Sequence, residues 1–205
     1  MNAVLDAPAQ TPPPLRRSPH VETLKWTCEK FESLGESGAF DGLNVILVDG
    51  EILNMPIASP AHDRAITIIL LALLRSFGGA YFPRVQSGLP LGSNTNLVPD
   101  LAFVAGSPKD FVGHPTSASL IVEVAVSSLS FDLGEKSNLY AKAGIAEYWV
   151  IDVEALQLHV HREPVVDSAA PHGFRYASVQ VLNTTDSIAP LAAPDSAITV
   201  GELMP

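Results

Sequence analysis

Residues 120–126 read Leu-Ile-Val-Glu-Val-Ala-Val, a strand-forming run with one carboxylate, Glu123, in its middle. Nothing else in the chain constrains the fold as tightly. An ionised carboxylate cannot be buried unpaired in such a run, so it needs a hydrogen-bonded partner, a metal ion or an open cleft. A second acid, Asp100, sits in the run Leu97-Val-Pro-Asp-Leu-Ala-Phe-Val, and a third strand is expected at Glu147–Asp152. Between the last two strands, a helix is expected to open at Asp132 and to end at Gly144.

Strand alternation places Glu123 on one face with Ile121 and Ala125, and Asp100 with Val98 and Ala102. These are the less bulky sides, which leaves room for an ion and a substrate. Hard oxygen ligands suit Mg²⁺ or Mn²⁺. Such an ion lowers the pKa of a bound water and neutralises charge on a phosphate under attack. Lys136 and Tyr140 are four residues apart and share a helix face. An ammonium there would orient the water and stabilise charge developing on the phosphoryl oxygens. Helical lysines are usually solvated, however, and an Asp after Pro often only starts an element. From these residues alone, a metal site and a structural use stand level.

The rest of the chain supplies the frame. Residues 1–20, with Pro12-Pro-Pro14, read as a disordered Pro/Ala-rich tail, and residues 21–205 as one domain. Helical character is expected in 21–36, with Thr27 as its cap and Trp26, Phe31 and Leu34 as an apolar stripe. Asp49-Gly50 between two apolar runs predicts a tight hairpin, with Glu51 just past the turn as a solvated strand end or an accessory acid. The strongest helix is expected over 62–77, started near Ser59 and stopped by Gly78-Gly79, with apolar residues nearly all round. His62, in its first turn, is a structural histidine or an accessory site residue. Arg84 and Gln86 either line a cleft or face water. His159 and His161 share a strand face, and a polar outer face accounts for them better than a metal site.

Several function classes drop out. The longest apolar run, Ala65–Leu74, is flanked by arginines and too short to span a bilayer, so no membrane role is expected. The N-terminus lacks the pattern of a signal peptide, and a single cysteine, Cys28, allows no intrachain disulfide; together they favour the cytoplasm. Cys28 reads as buried filler. A net charge of −10 argues against nonspecific coating of nucleic acid. There is no Gly-x-Ser-x-Gly elbow, P-loop or dinucleotide-binding turn.

Pro99-Asp100, Glu123-Val124 and the block Asp132-Leu-Gly-Glu-Lys136-Ser-Asn-Leu-Tyr140-Ala-Lys-Ala-Gly144-Ile-Ala-Glu147-Tyr-Trp-Val-Ile-Asp152 resemble the Uma family of bacterial putative restriction endonucleases, within the PD-(D/E)XK nuclease superfamily. The resemblance runs from the Asp49-Gly50-Glu51 hairpin to the C-terminal tail. It implies a restriction-endonuclease-like α/β core with a mixed central sheet flanked by helices, plus a C-terminal hairpin. It also implies Mg²⁺- or Mn²⁺-dependent hydrolysis of DNA phosphodiesters. Asp100 and Glu123 would be metal ligands, with the Val124 carbonyl as a third, and Lys136 would serve from the helix, because the usual lysine position is Ala125. His62 matches a family histidine, and Tyr140 would flank Lys136. A homodimer would supply two sites for a double-strand cut. Two positions depart from the pattern: Ile46 replaces a common Glu, and Val126-Ser127-Ser128-Leu129 replaces a Ser-Pro-Ser-like stretch. The alternative to an enzyme is a non-catalytic module of the same fold.

Overall fold

A computed structural model describes residues 22–205; the expected N-terminal tail lies outside the described residues. The first helix, α1 (Cys28–Glu36), is capped by Thr27, whose side chain accepts a hydrogen bond from the Lys30 N–H. Phe31 and Cys28, rather than the full expected stripe, are its buried residues, and Cys28 packs as filler against Leu47. The hairpin follows as β1 (Val45–Val48) and β2 (Glu51–Asn54). Its turn has positive φ at Asp49 (44°) and Gly50 (81°). The glycine is required twice over, because a Cβ there would lie 2.7 Å from Lys25 Cβ.

The long helix α2 spans Pro60–Phe77, with Ser59 accepting from the His62 N–H and Pro60 in the first turn. Next come β3 (Tyr81–Val85), β4 (Leu89–Pro90), β5 (Asn96–Leu97), β6 (Leu101–Ala105) and β7 (Leu120–Ala125). A short α3 (Leu129–Phe131) runs into a π-helical turn (Asp132–Lys136) and then α4 (Ser137–Lys142). The chain ends with β8 (Glu147–Asp152), β9 (Gln157–Val166), β10 (Phe174–Asn183), β11 (Ser187–Ile188) and β12 (Ile198–Thr199).

The central sheet has the order β10-β9-β8-β7-β6-β3. It is mixed: β7 and β8 pair in parallel and their neighbours antiparallel. The parallel pair is what demands a crossover, and the α3–α4 segment supplies it. A second sheet, β2-β1-β5-β4, stands beside it, and β11 pairs with β12.

Alternation along β7 divides the core as the sequence predicts. Leu120, Val122 and Val124 face α2 and the C-terminal residues Ile198, Val200 and Leu203. Ile121 and Ala125 face the opposite layer, with Leu139 and Tyr140 of α4 and Ile46 and Val48 of β1. Glu123 lies between Ile121 and Ala125 and so points into this second layer.

Three expectations need correction. The crossover helix starts at Leu129, before Asp132, and contains a turn of π-helix. Its apolar Leu129 and Phe131 pack against the second layer, which extends the helix backwards. Helix α2 is not covered all round, because Leu71 and Leu74 are exposed. His161 does not belong to a polar outer face: it is buried, with its ring 5.4 Å from Tyr148 and 5.7 Å from Tyr176.

Candidate active site

Glu123 is almost wholly buried, at 1 % exposure, yet both of its carboxylate oxygens are occupied. Oε1 accepts from the Tyr140 hydroxyl at 2.7 Å, and Oε2 lies 2.9 Å from Lys136 Nζ. The Asp100 N–H approaches Oε2 at 3.4 Å. Asp100 comes from the turn entering β6, held there by its carbonyl, which accepts from the Gln86 N–H. Its Oδ2 accepts from the Val124 N–H at 2.8 Å and from His62 Nε2 at 3.1 Å. Two acids 23 residues apart are thus tied to each other's backbone: each accepts from, or beside, the residue carrying the other.

Lys136 is shared. Its Nζ is also 2.9 Å from Asp132 Oδ1, while Asp132 Oδ2 accepts from the Ser128 hydroxyl at 2.5 Å. The arrangement sits on the π-turn. In it the Ser137 N–H reaches back five residues to the Asp132 carbonyl, which also accepts from the Tyr148 hydroxyl. The wide turn keeps Asp132 and Lys136 on one side and holds the next turn's Tyr140 over Glu123.

The charges are crowded. Burial pushes the Glu123 carboxyl above the ordinary carboxylate range; Lys136 pulls it back, and Asp100 and Asp132 push it up again. Burial alone would lower the Lys136 ammonium, but Glu123 and Asp132 outweigh it and hold it above its usual value. The hydrogen bond to Asp100 raises the His62 imidazole, against the opposing effect of its burial.

These groups open onto a cleft of about 560 Å³ lined by His62, Gln86, Asp100, Glu123, Ser128 and Lys136 together with apolar residues of the β2–α2 segment. The structure therefore brings together Asp100, Glu123, Lys136, His62 and Tyr140, and Val124 through its N–H. It does not bring Glu51, which is exposed and pairs with Lys25 on the outer hairpin at 2.5 Å. Gln86 is on the cleft wall, whereas Arg84 binds the Gly88 carbonyl and His114 elsewhere. Ile46, where the resemblance expects an acid, also lines the cleft. Asp132 is the residue that sequence reading passed over. Its four-residue spacing to Lys136 was the available signal.

A family model described as putative restriction endonuclease, Uma2, matches residues 28–201. The chain belongs to the Uma2 family. Among solved structures, this Uma2 chain is similar to that of a putative nuclease from Anabaena variabilis, with a TM-score of 0.66 and 14% identity over 86% of this chain and 96% of the other. At that identity the likeness speaks to the fold: a mixed α/β architecture with the central sheet flanked by helices. No curated protein matches the Uma2 chain. None of its described helices is long and apolar enough to cross a membrane.

Proposed function

We propose that this Uma2 chain is a divalent-metal-dependent endonuclease that hydrolyses DNA phosphodiester bonds, with residues 21–205 acting as one nuclease-like domain. The observation that carries the reading is the shared Glu123–Lys136–Asp132 ion pair set beside Asp100 on the wall of an open cleft. A buried acid that needed only a partner has one in Lys136. The added crowding by Asp100 and Asp132 is what a bound cation would relieve.

The donor set fits Mg²⁺ or Mn²⁺. Both carboxylates are hard oxygen donors facing a cleft, and Mg²⁺ is commonly held by one or two carboxylates while keeping several waters. No group of three or more His, Cys, Asp and Glu residues that could hold a metal occurs among the described residues, so a soft or all-protein cage is not offered. Asp100 and Glu123 would hold the ion, with the Val124 carbonyl as the third protein ligand. When bound, the ion would acidify a water and offset charge on the phosphate.

The remaining roles belong to the chain. The Lys136 ammonium would orient the attacking water and stabilise charge developing on the phosphoryl oxygens. Asp132 and Ser128 fix that ammonium, Tyr140 fixes Glu123, and His62 fixes Asp100. These four are positioning residues. DNA is the proposed partner, cleavage of both strands would use a homodimer, and a cytoplasmic location suits such a substrate.

The test is incubation of the purified chain with plasmid and oligonucleotide DNA in Mg²⁺ or Mn²⁺. Cleavage that disappears in Asp100→Asn and in chelator supports the proposal. Cleavage that survives Asp100→Asn belongs to a contaminant and overturns it. The second reading, a non-catalytic DNA-binding module, is favoured by Ile46 on the cleft wall. DNA binding without cleavage in either metal would select it.

A further inference from the structure

The π-turn that carries Lys136 is gripped from its outer side as well. Lys136 reaches inward to Glu123, whereas its neighbour Glu135 reaches His172 in the connection between β9 and β10. His172 Nε2 lies 2.8 Å from Glu135 Oε1, and its Nδ1 lies 2.8 Å from Asp49 Oδ2 in the β1–β2 turn. The His172 side chain is only 14% exposed, so the ring is committed to these two acids rather than to water. Asp49 spends its other oxygen on Lys142 of α4, at 3.2 Å. A single imidazole thus joins the hairpin turn, the crossover and the β9–β10 connection, which are far apart in sequence.

Two features separate this bridge from a chance surface contact. A neutral imidazole has one N–H and could satisfy only one of the carboxylates; with a proton on each nitrogen it donates to both. The bridge is complete only in that form. The backbone is also in the left-handed region at His172, with φ 56°, and at Asp49, with φ 44°. In a non-glycine residue such a conformation costs free energy and persists where the surrounding contacts hold it. The other charged residues beside the connection, Asp167 and Arg175, pair with each other at 2.6 Å.

A π-turn is a rare conformation that occurs often at functional sites. From inside the fold this one is held by Lys136 and by the Tyr148 hydroxyl on the Asp132 carbonyl. From outside it is held through Glu135. Half-exposed ion pairs add little to stability. One that fixes a turn next to a buried ammonium acts on geometry instead.

We infer that His172 is a positioning residue for Lys136: it clamps Glu135 to the Asp49 turn and so sets the turn from which the ammonium reaches Glu123. The inference rests on the nuclease reading for the reaction that Lys136 serves. It deepens that reading by naming a control on the placement of the amine.

The experiment compares the full chain with His172→Asn and Glu135→Gln, each with and without Lys136→Ala. Asn tolerates the left-handed backbone, so His172→Asn removes the ring without adding strain. Two quantities are recorded: steady-state DNA cleavage in Mn²⁺, and the ¹H–¹⁵N signals of the lysine ammonium groups, where the Lys136 signal is the one missing from Lys136→Ala. Both variants should lower kcat about tenfold and leave KM for DNA unchanged, because a displaced amine weakens the transition state and not substrate binding. Neither should slow Lys136→Ala any further, since both act through the amine. The Lys136 ammonium signal should shift or broaden in both. An unmoved signal overturns the inference whatever the rate. A tenfold loss that recurs in the Lys136→Ala background also overturns it, because a general structural role would act there too. A wild-type chain that cleaves nothing removes the nuclease reading alone, and the ammonium signal still decides the clamp. A cleaving chain in which neither variant moves the signal or kcat keeps the nuclease and rejects the clamp.

Discussion

Two buried glutamates on neighbouring strands, Glu123 of β7 and Glu147 of β8, show opposite ways of hiding a charge. Glu147 is fully buried and saturated. Its Oε1 accepts from Arg162 through two nitrogens and from Trp149 Nε1, and its Oε2 accepts from the Leu191 N–H. Arg162 also donates to the Ala189 carbonyl, so this pair fastens the C-terminal segment to the sheet. Glu123 has a cation too, but it shares that cation with Asp132 and stands beside Asp100. One acid is closed off by donors and the other is crowded by acids and faces a cleft. A buried carboxylate indicates chemistry when its surroundings leave negative charge in excess, and anchoring when donors answer every lone pair.

That contrast is open to direct attack. Glu123→Gln should lower DNA cleavage on the order of a thousandfold, with unfolding free energy altered by less than about 1 kcal/mol, because Lys136 keeps Asp132. Glu147→Gln should do the reverse. Leaving Arg162 without its anion should cost about 3 kcal/mol in urea unfolding, while cleavage per folded molecule stays unchanged. Equal stability losses in the two variants would erase the distinction.

Lys136→Ala stands between them. It should slow cleavage by about a hundredfold, leave Mn²⁺ affinity nearly intact in calorimetry, and cost about 3 kcal/mol of stability through two stranded acids. Full stability in that variant would mean Glu123 and Asp132 are not held by the amine.

A third buried group, His161, has neither excess acid nor a full set of donors. Burial, with a smaller contribution from His159, pushes its imidazole down to about 4. The unfolded chain takes up the proton near pH 6.5 and the folded chain only near 4, so stability present above 6.5 is lost as pH falls between these values. The loss is up to about 3 kcal/mol. His161→Phe should flatten that part of the stability profile; an unchanged slope would assign the acid sensitivity to other groups. The smallest effect is expected at Ile46. Ile46→Glu adds a carboxylate to the cleft wall and should tighten Mn²⁺ by about tenfold. No gain would place that position beyond reach of the ion.

Much of this was legible in the sequence, for local reasons. The alternation of β7, the Asp-Gly hairpin, the Ser59 cap and the Gly78 stop each follow from spacing and backbone chemistry within a few residues. The same holds for the helix face shared by Lys136 and Tyr140. What stayed hidden depends on register between distant elements. Nothing in the sequence near His161 tells that β9 lies beside β8 with Tyr148 opposite it. Nothing near Glu51 tells that the hairpin turns that acid towards Lys25. Asp132 was visible as a helix opener four residues before Lys136, but that this pair turns inward onto Glu123 depends on how the crossover packs on the sheet. Even the partner of Asp100 was half concealed, since the Val124 N–H contributes through backbone geometry and not through any side chain.

The widened turn at 132–136 also makes chain length a determinant in its own right. Each residue in an ordinary helix advances the direction of its side chain by about 100°. A wide turn holds one residue more than an ordinary turn over about the same rotation. Inserting one residue between Lys136 and Tyr140, in the ordinary helix that follows, adds an uncompensated angle of about 100°. It would swing Asp132 and Lys136 away from Tyr140 while every residue that the site uses was still in the chain. A member of this family one residue longer at that point would keep the same letters and lose the constellation.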